Sequence, residues 1–391
     1  MNGGVGVIGV IIILITYIFI GAFDGVRGIQ TSRIGTEYGL ELSQMGVILA
    51  AVPIGFLFSG PIMGRMADRF GAKRSLVCTT LLFITSLLGL IFSNSFSFLV
   101  VSFFIAGLSK GGMEISLNYL TTSLHATNKG RSLGLVHAGY GMGAFIFPMI
   151  TGTLFLAGWS WVSVFTIMVI FFMISFSMLP FLKLKRVEQQ SNDHSALPDQ
   201  RSSKYLIALV CATFFYVGAE VGLLSWLPYY FEHMRHIETF QIPYYIGAFF
   251  VLLMIGRLVG GFIVDRVGYE RSILVTSIVA TACLMIGPFV PNTALWIYSI
   301  VGIFFSIIFP TFIAMASKYF SGSVGTVIGY LTTAAGAGAA VSSWLIGYVA
   351  NHISFAVAFS IPSLLMVFLI LIMMWFSKKG GSPLAAQSQH A

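Results

Sequence analysis

Two stretches of the chain, GRMADRFGAKR at residues 64–74 and GFIVDRVGYER at residues 261–271, share one pattern. A glycine, an Asp-Arg pair, a second glycine and a final arginine keep the same spacing in both, and the second copy begins 197 residues after the first. Each copy is followed by a serine and lies between long apolar runs. The repeat predicts a chain that is built from two similar halves.

The composition is that of a membrane protein. Hydrophobic residues make up 57% of the chain and charged residues 9%, against about 25% charged residues in soluble domains. Twelve apolar stretches are long enough, at roughly 20 residues, to cross a bilayer as helices. They lie at 6–29, 44–64, 75–93, 97–122, 133–156, 160–182, 205–229, 243–264, 272–290, 294–317, 323–349 and 355–377. We therefore expect an all-α polytopic membrane protein with twelve transmembrane helices in two pseudo-symmetric six-helix halves.

The positions of lysine and arginine predict the orientation, because cytoplasmic loops carry an excess of both. With the N-terminus in the cytoplasm, sixteen of them fall on the inner side, whereas the outer loops hold only Arg33 and Arg235. We expect a multi-pass protein of the cytoplasmic membrane with both termini in the cytoplasm. The net charge of +8 is then a topological signal, and no nucleic-acid partner is expected.

The halves are predicted at 1–182 and 205–379. Residues 183–204 form the only long polar stretch inside the chain and are expected to be a flexible cytoplasmic linker. The tail at 380–391 has a similar composition and is expected to be disordered. We expect a monomer. The three cysteines show neither pairing nor metal spacing, so no disulfide and no metal site are predicted.

Six ionisable residues fall inside the predicted spans. They are Asp24, Arg27, Lys110, Glu114, Glu220 and Arg257. Each costs about 2.5 to 3.5 kcal/mol at the middle of the bilayer, so each is expected to face a cavity or a partner. The spacing of Lys110, Glu114 and Asn118 places them on one face of the fourth span. His137 in the fifth span titrates in a range that suits a proton relay.

Both pairs of opposite charges allow two interpretations. Asp24 and Arg27 are either a structural ion pair or take part in coupling, and Glu114 can simply pair with Lys110. Neither pair is repeated in the second half. This favours a first half that handles protons and charge and a second half that mainly shapes the site.

The repeated blocks resemble the cytoplasmic loop motif of the major facilitator superfamily. Their glycines permit close approach and a tight turn, and their aspartates can accept hydrogen bonds from a helix N-terminus or pair with a basic side chain. The resemblance implies a role in switching between conformations. The predicted gating residues are Gly64, Asp68, Arg69, Gly71, Arg74, Arg257, Gly261, Asp265, Arg266, Gly268 and Arg271.

Glycines of the fifth and eleventh spans repeat as well, at an offset of 195 residues. They are Gly134, Gly141 and Gly143, followed by Gly329, Gly336 and Gly338. Small residues allow helices to pack backbone to backbone. The pattern indicates either a seam along which the halves move or plain helix packing.

Three segments resemble the fucose:proton symporter family of sugar transporters within this superfamily: GGMEISLN at 111–118, YVGAEVG at 216–222, which Ser225-Trp226 follow, and GIFFSIIFPT at 302–311. The resemblance implies that Asp24 and Glu114 serve proton coupling and sugar recognition and that Asn118 binds a sugar hydroxyl.

Aromatic side chains of the seventh span offer surfaces on which a sugar ring could stack, although aromatic residues in membrane helices more often pack or anchor. We interpret Tyr216 and Trp226, together with Glu220, as candidate substrate-binding residues.

The chain also departs from that family. Arg27 and Lys110 place positive charge beside the carboxylates and could bind an anionic substrate. His137 stands where a polar amide is expected. The Asp-x-x-Arg-Gly arrangement that begins at Asp24 resembles one found in drug and glycolipid transporters of the superfamily, so the direction of transport stays open.

We predict proton-coupled secondary transport of a small polar solute, a monosaccharide or a sugar derivative, by alternating access. The alternative is proton-driven efflux of amphipathic drugs or lipids, although Lys110 argues against a cationic solute. The sequence contains no P-loop and no nucleophile or metal constellation, so we expect neither an enzyme nor a cofactor. The expected partners are the solute, protons as the coupling ion, and the lipid bilayer.

Overall fold

A computed structural model describes residues 3–124, 129–182, 200–320 and 324–378. Among these, the side chains at 3–7, 64, 68, 122–124, 129–138, 200–203, 317, 324–326 and 378 are not described. The predicted tail and most of the predicted linker lie outside the described residues, and so do the side chains of Asp68 and His137. Residues 200–204, which were expected to belong to the linker, are helical, because a helix already begins at Gln200.

The described residues form α-helices joined by short turns, without a strand. The helices are α1 (Gly3–Glu37), α2 (Leu42–Phe70), α3 (Ala72–Ile91), α4 (Phe96–Leu124), α5 (Lys129–Leu156), α6 (Trp161–Met178), α7 (Gln200–Tyr229), α8 (Ile242–Val267), α9 (Tyr269–Ile286), α10 (Trp296–Phe305), α11 (Ile308–Tyr319), α12 (Val324–His352), α13 (Phe355–Ala358) and α14 (Ile361–Lys378). A π-helix, Tyr230–Met234, follows α7.

Twelve segments of the described chain are long and apolar enough to cross a membrane. The prediction of an all-α membrane protein with twelve spans is confirmed. The first span is longer than expected, because α1 continues to Glu37, whereas the sequence interpretation ended it at residue 29.

The tenth and twelfth spans each consist of two helices. The tenth is interrupted between Phe305 and Ile308, and the twelfth between Ala358 and Ile361. A proline ring clashes with the carbonyl group four residues before it. Pro310 and Pro362 stand four residues after Ser306 and Ala358, so each break lies where this clash falls.

The repeated blocks are helical rather than loops. Helix α2 continues to Phe70 and α8 to Val267, because neither glycine nor proline interrupts the last turn of either helix. The connection to the next helix is a single glycine in both copies. Gly71 has a φ angle of 87° and Gly268 one of 93°, a backbone conformation that glycine adopts readily.

The chain forms two compact units. The first comprises Met1–Gln189 and Ser225–Val251. In it α1 packs against α5, and α2 and α3 pack against α4. Phenylalanine side chains from α1, α3, α4 and α6 fill its core, and Phe23 and Phe83 meet edge to face with ring centroids 5.1 Å apart.

The second unit comprises Gln190–Leu224 and Leu252–Ala391. Helix α9 contacts α10, α11 and α14, and α12 contacts α11 and α14. Tyr216 of α7 packs edge to face against Phe305 and Phe312. The division into halves at 1–182 and 205–379 stays a prediction.

The repeated glycines occupy matching contacts within the two units. A Cβ atom on Gly143 of α5 would collide with the carbonyl oxygen of Ile18 on α1, and a Cβ atom on Gly338 of α12 would collide with that of Phe214 on α7. Glycine therefore lets the backbones of these helix pairs touch. Gly329, on the same helix as Gly338, has open space where its Cβ would stand.

Candidate substrate and proton site

Helices α1 and α4 bring four charged side chains together inside the first unit. Lys110 Nζ lies 2.5 Å from Asp24 Oδ2 and 3.5 Å from Glu114 Oε1. Arg27 Nη1 lies 3.9 Å from Asp24 Oδ1. The side chains of Lys110, Arg27 and Asp24 are 13%, 12% and 11% exposed, whereas that of Glu114 is 23% exposed. Glu114 is thus the most accessible member of this charge cluster.

Spacing in the sequence pairs these charges within each helix, and the structure also links them across helices. Lys110 is closer to Asp24 on α1 than to Glu114 on its own helix. Asp24 Oδ2 also accepts a hydrogen bond from the hydroxyl group of Tyr140 on α5, at 2.7 Å. Asp24 therefore connects three helices through one carboxylate oxygen.

Glycines next to the charged side chains allow α1 and α4 to pack closely against neighbouring helices. A Cβ atom on Gly25, next to Asp24, would clash with the backbone of Ala144 on α5. A Cβ atom on Gly111, next to Lys110, would clash with Ser59 on α2. The two glycines therefore allow close packing of α1 against α5 and of α4 against α2.

Asn118 is tied to α1. The hydroxyl group of Tyr17 donates a hydrogen bond to Asn118 Oδ1 at 2.7 Å. Lys110, Glu114 and Asn118 thus form the polar face of α4 that their spacing predicts, and α1 supplies partners of Lys110 and Asn118.

Several buried polar atoms of α1 lack a hydrogen-bond partner in the described structure. They are Asp24 Oδ1, Arg27 Nε, and both Gln30 Oε1 and Gln30 Nε2. Gln30 lies one turn after Arg27, and none of its side chain is exposed. Gln30 is not among the residues predicted from the sequence, although an amide inside a predominantly apolar helix was a usable signal. Buried polar groups without partners are uncommon and ask for an explanation.

A second polar group lies in the second unit. The Tyr216 hydroxyl group donates to the carbonyl oxygen of Phe305 at 2.8 Å and also contacts the carboxyl group of Glu220. Arg257 is near enough to interact electrostatically with Glu220, although its side chain is exposed. The structure thus brings together three predicted residues, one of which was assigned to gating.

Trp226 belongs to the first unit rather than to the unit that holds Tyr216 and Glu220. Its side chain is fully buried and meets the ring of Tyr229 edge to face at 6.0 Å. Tyr216 is also fully buried. Their assignment to substrate binding stays a prediction.

Asp24 and Glu220 hold equivalent positions in the two halves. Ile18 and Phe214 make the same contact with the repeated glycines, and the two acids follow these residues by six positions. Neither ion pair is repeated in the second half, but this acid is. The equivalence is hard to see in the sequence, because one half carries aspartate and the other carries glutamate.

Residues of the second repeated block are mostly exposed. This holds for Gly261, Asp265, Arg266 and Arg271, and a Cβ atom on Gly261 would meet no neighbour within 4 Å. Within this block, Glu270 accepts a hydrogen bond from the hydroxyl group of Tyr319. Burial, this hydrogen bond and the Glu270 charge raise the pKa of Tyr319.

The corresponding arginines of the first block, Arg69 and Arg74, are exposed too. The guanidinium group of Arg69 lies 5.5 Å from the ring centroid of Phe70. The side chain of Asp68 lies outside the described residues, and so does that of His137, whose backbone belongs to α5. Their predicted roles in gating and proton transfer therefore stay predictions.

Comparison with known proteins assigns the family. The family model of the Major Facilitator Superfamily matches residues 5–343. The chain belongs to this superfamily. Together with the twelve apolar helices, membership makes the chain a multi-pass membrane transporter.

Several relatives match over most of their length. A Protein TsgA homolog of Buchnera aphidicola subsp. Baizongia pistaciae is 23% identical over 93% of this chain and 95% of its own. The cis,cis-muconate transport protein of Acinetobacter baylyi is 24% identical over 84% of each. The glucose/mannose transporter GlcP of Bacillus subtilis is 22% identical over 91% of this chain and 93% of its own.

Solved transporter structures share the fold. The nucleoside transporter NupG superposes with a TM-score of 0.77 at 10% identity, over 95% of this chain and 99% of its own. The fucose:proton symporter FucP of E. coli superposes with a TM-score of 0.64 at 17% identity, over 95% and 98%. The predicted resemblance is confirmed at the level of the fold.

Proposed function

We propose that the chain is a proton-coupled secondary transporter that takes up a small polar solute, a monosaccharide or a sugar derivative. The charge cluster of Asp24, Arg27, Lys110 and Glu114 carries this proposal. Charged groups inside a membrane are expensive and usually mark the path of a solute or an ion. Four of them within one membrane-spanning unit, one of them more accessible than the rest, fit a site that exchanges protons and solute.

The residues divide by their chemistry. Asp24 and Glu114 are the groups that can take up and release a proton, and the same role is proposed for His137. Lys110 and Asn118 supply hydrogen-bond donors to solute oxygens. In the second unit, Glu220 occupies the position equivalent to Asp24. Glu220 and Tyr216 are proposed to bind the solute.

The relatives support a polar solute. The names of two relatives specify glucose or mannose and cis,cis-muconate, and those of the two structural neighbours specify nucleosides and fucose with a proton. Each of these solutes carries several oxygen atoms that hydrogen-bond donors can bind. The distribution of lysine and arginine supports a place in the cytoplasmic membrane with both termini inside. We propose that the protein works as a monomer.

Proton-driven efflux of amphipathic compounds is the second candidate. The Asp24-x-x-Arg27-Gly arrangement favours it, because it resembles one in drug and glycolipid transporters. The cations Arg27 and Lys110 inside the cluster argue against a positively charged drug, since like charges repel at short range.

Solute-driven proton movement in proteoliposomes tests the proposal. Purified protein is reconstituted with a pH-sensitive dye in the lumen, and glucose, galactose, their uronic acids and a lipophilic cation are added outside in turn. Uptake with protons acidifies the lumen in response to a sugar or a sugar acid. Alkalinisation in response to the lipophilic cation alone would establish exchange for protons instead and contradict the proposal.

A further inference from the structure

We infer that Arg27 and Gln30 of α1 form a binding site for the carboxylate of a hydroxylated organic acid. The inference rests on the proposed function, because it names the substrate class of the same site.

Arg27 is a buried cation with too few partners in the described part of the chain. Its acidic neighbour there is Asp24, and the 3.9 Å between their atoms is beyond hydrogen-bond distance. Asp24 already uses its other oxygen for Lys110 and Tyr140. The Nε–H group of Arg27 is buried without an acceptor. A guanidinium group binds a carboxylate through two parallel hydrogen bonds, so an incoming carboxylate would satisfy it.

Gln30 adds the second half of the site. It stands three residues after Arg27, which places both side chains on one face of α1. Its amide offers unpaired donors at Nε2 and an unpaired acceptor at Oε1. The donors suit a carboxylate oxygen, and the acceptor suits a hydroxyl group elsewhere on the same molecule. A sugar acid carries both kinds of group, whereas a neutral sugar carries only the hydroxyl groups.

Charge balance leads to the same substrate class. With all four members ionised, two cations and two carboxylates give the charge cluster no net charge. A proton on Glu114 leaves one uncompensated positive charge in a buried site, which is unfavourable. Binding of one carboxylate removes that charge. The cluster is therefore neutral either empty or with one proton and one anion, which predicts electroneutral symport at a ratio of one to one.

Matched pairs of ligands test the site directly. Thermal unfolding of the purified protein is followed with D-glucose against D-glucuronate and with D-galactose against D-galacturonate, since ligands of the folded state raise the unfolding temperature. At least one acid should stabilise the protein more than its neutral partner. The inference is overturned if neutral sugars bind as well as their acids, if neither acid binds, or if chloride or phosphate reproduces the effect.

Variants connect the effect to the residues. Arg27→Gln should weaken binding of the acid at least about tenfold, the loss of a charge-assisted hydrogen bond, and Arg27→Lys should restore part of it. Gln30→Met should weaken it roughly two- to tenfold. Arg235→Gln and Gln241→Met change the same residue types outside the site and should leave the affinity unchanged. Intact folding is checked by monodispersity, and unchanged affinity in folded Arg27→Gln overturns the inference.

Transport separates this inference from the proposed function. A pH gradient should drive uptake of the acid at a rate that a potassium and valinomycin potential does not alter. A rate that rises with the potential contradicts the charge balance. Proton-driven uptake of glucose without preference for the acid overturns the carboxylate site and leaves the proposed function standing. If the acid binds in a way that depends on Arg27 but is not transported with protons, the carboxylate site stands and the proposed function is overturned.

Discussion

At the scale of single residues, the charge cluster is held by unequal contacts. Lys110 pairs closely with Asp24, whereas Arg27 and Gln30 keep unused hydrogen-bonding atoms. The close pair of Lys110 and Asp24 contributes to stability in addition to its proposed role in transport, whereas the unused atoms of Arg27 and Gln30 are available for a ligand. The two cations therefore have different expected phenotypes.

Breaking the close pair should destabilise the protein. Asp24→Asn and Lys110→Gln should each lower the free energy of unfolding by about 3 to 5 kcal/mol, because each removes the closest ion pair and leaves the buried charge cluster with one unbalanced charge. The double variant should lose less than the sum of the two, since the charge cluster then holds one cation and one carboxylate and has no net charge. Reversible unfolding in detergent and denaturant measures the coupling. Strict additivity would show that the two side chains do not interact.

Glu114 should carry proton coupling. One pH unit corresponds to about 1.36 kcal/mol and can drive roughly tenfold accumulation with one proton per solute. In Glu114→Gln, accumulation should fall to equal concentrations on both sides, while exchange of labelled for unlabelled solute continues. Glu238→Gln, which changes an acid outside the predicted spans, is the control. Accumulation that persists in Glu114→Gln would reduce this residue to a structural partner of Lys110.

At the scale of helices, glycines allow close packing, and two prolines coincide with breaks in the spans. Gly143 and Gly338 sit where a side chain would meet a backbone carbonyl. Pro310 and Pro362 divide two spans that hydropathy alone shows as continuous. Both effects arise from the shape of the residue rather than its hydrophobicity.

The glycine contacts give a prediction with controls on the same scaffold. Gly143→Ala and Gly338→Ala should each destabilise the protein by about 1 to 3 kcal/mol, because the helices must separate to admit the new methyl group. Gly60→Ala and Gly329→Ala, where nothing lies within 4 Å of the added atom, should change stability little or raise it by up to about 1 kcal/mol. Unfolding temperatures of all four variants check this. Equal effects would disprove the contact argument.

At the scale of the whole molecule, duplication places matching turns and matching acidic residues in both halves. The helix-to-helix turns at Gly71 and Gly268 match, as do the acids Asp24 and Glu220. The partners of the two acids differ: Asp24 meets Lys110 and Arg27, whereas Glu220 meets Tyr216 and Arg257. Equivalent positions therefore carry different chemistry.

The aspartates of the repeated blocks should affect movement rather than binding. Asp68→Asn and Asp265→Asn should lower the transport rate about tenfold or more and leave ligand affinity within about twofold, because a group that biases two conformations without touching the solute shifts only their populations. Transport in proteoliposomes and ligand-induced thermal stabilisation are compared, with Asp193→Asn in the predicted linker as the control. Affinity lost in step with transport, in a folded protein, would contradict a gating role.

The sequence by itself determined the membrane class, the twelve spans and the duplication. Hydrophobicity, charge bias and repeated spacing are properties of the chain that depend little on tertiary contacts. The rarity of charge inside apolar spans was therefore enough to mark Asp24, Arg27, Lys110 and Glu114 as candidates. The polar face of α4 followed from helical periodicity alone.

Only the tertiary structure decided which of these groups meet. Whether Lys110 binds Asp24 or Glu114, and whether Gln30 finds a partner, depends on the rotation and the axial position of one helix against another. A shift of one helix by a single residue, about 1.5 Å along its axis and about 100° around it, would separate the charges. Sequence periodicity describes one helix at a time and contains no information on that relation.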